Sequence, residues 1–364
     1  MSTRREFLTQ TAMTALMARA ATSLTDAHAQ EAKSTATPPV KPAGAMKTYQ
    51  LPHTDLVVSR LVYGCAMIGF DWDSPDFVAR TVATINAAYQ QGINLFDTAD
   101  VYGHGKAETA LGEVLKASPG LRNKIVIQSK CGTVAGGAID NSSEHILGAV
   151  NGSLARLGTD HLDILLIHWP DSLVEPEEVA RAFDELQRAG KVRYFGVSNH
   201  SPWQIELLQK TVRQPLAINQ IQLGLAHWYT QAGPAKGAVT HGEEGVATLD
   251  YCHVHDIHVQ AYSPLKAGNI RQPPNLLNPA SDATAEVRKA TQTLLEVANA
   301  HGTTPAAVML AWLLHHPAHI APIIGATKVE HVVENCAADR VELTRAEWYS
   351  LLRTVSEIEP RTAA

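Results

Sequence analysis

The 364-residue chain reads as a (β/α)8 barrel of the TIM type, with an N-terminal β-hairpin and C-terminal helices added to it. Three observations predict it. Strand-like apolar runs alternate with helical patterns eight times, the composition keeps one regime throughout, and no Gly-x-Gly-x-x-Gly follows the first strand to suggest a Rossmann site. Spacing alone leaves an open doubly wound sheet as the alternative. With 45% hydrophobic residues, the chain can bury one large core.

The first 45 residues stand apart from that pattern. Thr3-Arg4-Arg5-Glu6-Phe7-Leu8 sets two arginines before an apolar pair, and a weakly hydrophobic Ala/Thr-rich stretch follows from Thr11 to Leu24. This resembles a twin-arginine export signal, with Ala27-His28-Ala29 as a small-x-small cleavage site. Residues 1–29 are the expected signal, 30–45 a polar, Pro-rich disordered linker, and 46–360 the barrel. The expected location is the periplasm or the exterior. It is the cytoplasm if the segment is only a basic tail, a reading that Arg19 inside the apolar stretch favours. The stretch is too short and polar for stable membrane insertion.

The elements follow in order. Tyr49-Gln50-Leu51 and Leu56-Val57-Val58 flank the turn formers Pro52-His53-Thr54-Asp55, a hairpin placed to plug the barrel floor. Arg60 to Gly64 is the first barrel strand, and a helix from about Asp76 to Gln91 is stopped by Gly92. Ile93–Asp97, Ile125–Lys130, Leu162–His168, Val192–Val197, Ala217–Ile221, Ile257–Tyr262 and Ile320–Ile324 supply the other strands. Helices are expected over 107–116, from Ser142 or Ser143 to Leu157-Gly158, from Pro176 to Ala189-Gly190, and from Ser201-Pro202 onward. Further ones fall over 285–301, 304–315, 329–335 and 344–355. Ala226 to Gly245 is the one long irregular insertion.

The net charge of −6 includes no basic block, so nothing points to nucleic acid or an acidic membrane surface as partner. Cys65, Cys131, Cys252 and Cys336 form no clustered motif and read as free core thiols. His253-x-His255-x-x-His258 and His315-His316-x-x-His319 have metal-ligand side chains, but no carboxylate or cysteine stands at ligand spacing. Both clusters fall at the floor, and no metal is expected. Oligomeric state leaves no trace in the pattern.

The chemistry gathers at strand ends. Asp97 closes the second strand and Tyr102 follows in a polar turn, while Lys130 and His168 close the third and fourth. In a barrel those ends face one mouth. An unperturbed tyrosine, with a pKa of about 10, is a poor acid at neutral pH. A Lys130 ammonium beside it should lower that value, with Asp97 holding the lysine and His168 orienting a substrate oxygen. Such a site donates a proton to a carbonyl, and a cofactor must supply the hydride. Taken singly, each of the four residues has an ordinary structural reading.

Phe96-Asp97-Thr98-Ala99 with Tyr102-Gly103, Ser129-Lys130, Leu166-Ile167-His168-Trp169-Pro170, Gly196-Val197-Ser198-Asn199, Asn219-Gln220 and Tyr262-Ser263-Pro264-Leu265 resemble the aldo-keto reductase superfamily in order and spacing. The resemblance runs from Tyr49 to Glu357, and the Thr344-Arg345-x-x-Trp348 ending suggests a short-loop bacterial branch. It implies carbonyl–alcohol interconversion with Tyr102 as general acid, Lys130 and Asp97 as its tuning pair, and His168 orienting the carbonyl. It assigns Ser198, Asn199 and Gln220 to the nicotinamide carboxamide, and Tyr262 to stacking on its ring. Ser263 and Leu265 fall to the pyrophosphate, although Lys266-Ala267-Gly268 replaces the usual glycine-rich continuation. Ile324 to Asn335, with Lys328, Glu334 and Asn335, falls to the adenosine end. Lys328, with His331 where an arginine is often seen, favours NADPH, with NADH as the alternative. Trp72, Trp169, Trp228 and Tyr229, with the loop around Phe70, are expected to line the pocket of a small carbonyl or alcohol substrate. The rival implication is a nicotinamide-bound redox sensor or accessory subunit with slow turnover. Export adds the expectation of a tightly held cofactor recycled by a second substrate.

Overall fold

Two short strands, β1 (Thr48–Gln50) and β2 (Val57–Ser59), pair antiparallel, with Val58 buried beneath a barrel and Val57 exposed. The computed structural model describes residues 46–68, 77–134, 137–227, 243–265 and 275–358. The expected signal and linker, Phe70, Trp72, Trp228, Tyr229 and Lys266-Ala267-Gly268 lie outside these residues.

The barrel strands are β3 (Val62–Gly64), β4 (Leu95–Asp97), β5 (Val126–Cys131), β6 (Leu162–Ile167) and β7 (Val192–Ser198). They continue through β8 (Leu216–Gln222), β9 (His258–Tyr262) and β10 (Ala321–Ile324). All eight run parallel, and β10 pairs with both β3 and β9 to close the cylinder. They read as near-continuous apolar runs because one face packs into the barrel and the other under the helices. Leu51, Leu56 and Val58 of the hairpin share one buried cluster with Val62, Leu95 and Val126, the first residues of β3, β4 and β5. The hairpin therefore seals the N-terminal end, as its pattern suggests, and leaves the other end for chemistry.

The strand starts differ slightly from the sequence reading, for a local reason. Arg60 N donates to Lys47 O, which extends the hairpin, so the first barrel strand starts at Val62. Asn94 is likewise diverted: its side chain accepts from Ser59 N at 2.7 Å and donates to Val57 O at 2.9 Å.

Around the barrel lie α1 (Phe77–Gln90), α2 (Lys106–Ala117), α3 (Ser143–Leu157), α4 (Pro176–Arg188), α5 (Pro202–Gln209), α6 (Glu243–Val254) and α7 (Ala285–Ala300). They are followed by α8 (Pro305–Leu314), α9 (Val329–Cys336) and α10 (Arg345–Ser356). Their ends obey the expected capping chemistry. Ser142 accepts from His145 N, Ser201 forms a capping box with Gln204, and Gly158 ends α3 at φ 64°. α8 is buried from Ala307 to Leu314, and α10 is clasped to it by Trp312 and Trp348. Their rings stack at 4.5 Å, and each indole N–H donates to the other residue's carbonyl.

The four cysteines are buried and unpaired. His258 and His319 place their rings 5.5 and 5.1 Å from the Tyr49 ring, at the floor. Among the described residues no group of three or more ligand-type side chains is arranged to hold a metal ion, and no helix is long and apolar enough to cross a membrane.

Candidate active site

Register sets the height of each group. Asp97 pairs with Gln128, so Lys130 stands two residues farther up β5 on the same face. Its Nζ lies 2.7 Å from the Asp97 carboxylate, 2.8 Å from Thr98 O and 3.1 Å from the Tyr102 hydroxyl. Those three partners use all the donors of an ammonium that is wholly enclosed by protein. Burial alone would depress the lysine. Asp97 and Tyr102 outweigh that, and its proton is held more firmly than usual.

Tyr102 sits in the turn after β4, where its N–H donates to Ala99 O. Burial pushes the phenol above its ordinary range, and the Lys130 ammonium only partly offsets this. The expectation of a net lowered tyrosine is therefore corrected: desolvation of the phenolate exceeds the attraction of the single cation.

His168 follows β6 and is fixed by its N–H on Cys131 O at 2.9 Å. Its ring meets Tyr102 edge-on at 5.8 Å, and the half-buried Trp169 lies nearly parallel to it at 6.2 Å. Burial first, and then Lys130, depress the imidazole to about 3. It is neutral at physiological pH, and its Nδ1 is buried without a hydrogen-bond partner.

Beside these four, the ends of β7, β8 and β9 gather a hydroxyl, two primary amides and an aromatic ring. Gly196 makes this possible: a Cβ there would stand 2.7 Å from Ile218 O, so only glycine lets β7 and β8 approach so closely. Ser198 Oγ donates to Gln220 O, and Asn199 Nδ2 donates to Ser198 Oγ and His168 O. Tyr262 donates its hydroxyl to Asn199 Oδ1 at 3.0 Å. Asn199 and Ser263 both have left-handed backbones, with φ 60° and 52°. Strain of this kind in a non-glycine residue persists only where the surroundings fix it. An aromatic ring beside amide and hydroxyl groups suits a nicotinamide and its carboxamide.

The other predicted cofactor residues lie on separate elements. Leu265 is half-buried against the core; Lys328 is exposed just before α9; on α9 itself Glu334 is exposed and Asn335 buried. No described contact joins them to the Asp97 cluster.

The sequence profile of the Aldo/keto reductase family matches residues 60–354. The chain belongs to this family. A 6-dehydroglucose reductase of Agrobacterium fabrum is 38% identical over 305 residues, covering 81% of this chain and 94% of that protein. A protein of the same name from Novosphingobium aromaticivorans is 34% identical over 310 residues, covering 83% and 93%. Among solved structures, an aldo-keto reductase from Klebsiella pneumoniae in complex with NADPH is 28% identical with a TM-score of 0.65, covering 88% of this chain and 98% of that one. As an aldo/keto reductase, the chain is an oxidoreductase.

Sequence reasoning overlooked two residues of the aldo/keto reductase site. Gln128 and Gln260 are fully buried and join Gln220 beneath Lys130. A signal was present: each is a polar residue in an apolar strand, two positions before a site residue, Lys130 or Tyr262. Asp100 was also passed over. Burial, with Glu108 nearby, raises its carboxyl to about 7.

Proposed function

We propose that the chain reduces an aldehyde or ketone with NADPH, or runs the reverse oxidation, using Tyr102 as general acid and base. The observation that carries this reading is Lys130 Nζ, held between the Asp97 carboxylate and the Tyr102 hydroxyl with neutral His168 across the phenol. NADPH, when bound, supplies the hydride. Ser198, Asn199 and Gln220 would hold its carboxamide and Tyr262 its ring; Ser263 and Leu265 would meet the pyrophosphate, and Lys328, Glu334 and Asn335 the adenosine end. The neutral imidazole can hold the substrate oxygen without competing for the phenol proton. As charge builds on that oxygen, Tyr102 gives up its proton, and Lys130 stabilises the phenolate left behind. Because burial holds the Tyr102 phenol protonated, the phenolate that oxidation would need as its base becomes more available as pH rises.

The named relatives point to a sugar aldehyde as substrate, with Trp169, beside His168, lining its pocket. The test is NADPH oxidation, followed by absorbance, with a panel of sugar aldehydes, small aldehydes and ketones. Turnover strongest on sugar aldehydes and lost in Tyr102→Phe supports the reading. A native chain that binds NADPH but reduces none of the panel overturns it.

We also propose that residues 1–29 direct twin-arginine export and that the cofactor travels tightly bound inside the folded barrel. Fractionating cells that express the chain with and without Arg4→Lys plus Arg5→Lys tests the first part. An unchanged distribution sinks it. An exported fraction that emerges free of nicotinamide cofactor, oxidised or reduced, and turns over only with excess added NADPH sinks the second.

A further inference from the structure

Below Lys130 the barrel holds a layer of amides. Asp97 pairs with Gln128 on one side of the barrel, and Gln220 pairs with Gln260 on the other. All four side chains are buried. Gln128 Nε2 donates to Asp97 Oδ1 at 2.6 Å and to Gln260 Oε1 at 2.8 Å. Gln220 Nε2 donates to the same two acceptors, at 2.9 Å each. Gln260 Nε2 returns one bond to Gln128 Oε1 at 3.0 Å.

Counting donors fixes every amide. Both hydrogens of Gln128 and both of Gln220 are committed inward. Turning the Gln220 amide over would set its carbonyl against the Asp97 carboxylate and the Gln260 carbonyl, acceptor against acceptor in a buried site. Gln220 therefore has only its carbonyl oxygen left to offer outside the layer. The same bonds place two amide donors, besides Lys130, on the Asp97 carboxylate.

We infer that Gln128 and Gln260 are positioning residues for the reaction: Gln260 fixes Gln220 as a pure acceptor for the nicotinamide carboxamide amine, and Gln128 withdraws charge from Asp97 and so sets the Lys130–Tyr102 pair. This rests on the NADPH-dependent reading above. It connects the cofactor end of the site to the proton donor through one hydrogen-bonded layer: Gln220, Asp97, Lys130 and then Tyr102.

The sign follows from the groups that face Tyr102, which are Lys130, Asp97, Cys65, His168 and Tyr262. Of these, Asp97 raises the phenol's pKa and Lys130 lowers it. Removing a donor from Asp97 leaves more negative charge facing Lys130 and Tyr102, so the phenol proton is held more firmly.

The experiment uses Gln128→Met and Gln260→Met in the full chain, with two readouts: NADPH affinity by quenching of protein fluorescence, and the pH profile of alcohol oxidation. Gln128→Met should move the alkaline limb of that profile upward by about half a unit, slowing oxidation at a fixed pH below it. Gln260→Met keeps both donors on Asp97, so it should leave the limb in place and weaken NADPH about fivefold, the value of one net hydrogen bond. A purely structural layer would lower thermal stability in both variants without this division of effects. Two folded variants with wild-type NADPH affinity and an unmoved limb overturn the inference while leaving the reductase reading intact. A wild type that neither binds NADPH nor turns over removes both. If Gln128→Met does not fold, NADPH affinity in Gln260→Met decides the matter.

Discussion

Two buried aspartates sit on the described barrel strands, one near each end, and they differ in what their cations touch next. Asp163, near the start of β6 at the floor, accepts from Ile127 N at 2.9 Å and pairs with Arg122 and Arg193 at 3.0 and 3.1 Å. Arg193 also reaches Asp55 of the hairpin, so this carboxylate ties the plug to the barrel. Asp97, at the mouth, is as deeply buried and as fully paired. Its cation, however, is a lysine with no exposed surface whose third partner is a phenol, whereas the floor guanidiniums are partly exposed. Burial and pairing are thus common to structure and chemistry. What separates these two is that the cation at the mouth is a wholly enclosed lysine bonded to a titratable hydroxyl.

That contrast can be broken most sharply by Lys130→Met. We expect kcat/KM to fall by about 10³ or more, within the range for loss of general acid–base assistance. A variant retaining a tenth of wild-type turnover would remove the mouth's special status. Asp163→Ala should do the reverse, lowering stability in urea by about 2–3 kcal/mol by taking the buried carboxylate from Arg122 and the acceptor from Ile127 N, while Arg193 keeps Asp55. Its kcat, measured on the folded fraction, should stay within about twofold, since no chemistry passes through the floor.

Acid should sharpen the comparison next. His168 at the mouth is held at about 3, and the buried His200 and His258 at about 4, each lowered chiefly by burial. In the unfolded chain these rings take up protons near 6.5. The unfolded state therefore binds more protons between about 6.5 and 4, and stability must fall as pH drops through that window. Each fully buried ring contributes up to roughly 3 kcal/mol. Asp100 has the opposite slope, since its raised pKa costs stability as pH climbs from the usual carboxylate range toward 7. His258→Phe should flatten the acid limb of a thermal-midpoint profile by about a third without touching turnover. An unaltered slope would mean that the floor histidine is not held neutral. The smallest effect expected is from Ser201→Ala, which removes the capping box of α5 and should cost about 1 kcal/mol.

Most of the fold was legible because its signals are local. Alternating periods, a serine cap at Ser142 or Ser143, Pro176 and Gly158 each mark an element end by chemistry within a few residues. Asp97, Tyr102, Lys130 and His168 were legible for a different reason: eight parallel strands leave their C-terminal ends at one mouth. The sign of the Tyr102 shift was not legible, because it depends on the balance between burial and Lys130, and sequence shows only the charge. Gln128 and Gln260 were missed because each amide makes sense only against a partner on the other side of the barrel. Their sequence separation of 132 residues hides that pairing.

The four enclosed thiols carry a consequence for how opening of this fold can be followed. Burial holds all of them protonated, with Cys252 and Cys336 pushed up to about 12 and Cys65 and Cys131 raised as well. Thiolate is the form that reacts with oxidants and alkylating reagents. The native chain therefore offers no thiolate to an oxidant or an alkylating reagent. Its sulfurs come within reach only when the molecule opens, so the rate at which they are modified is a clock for unfolding itself.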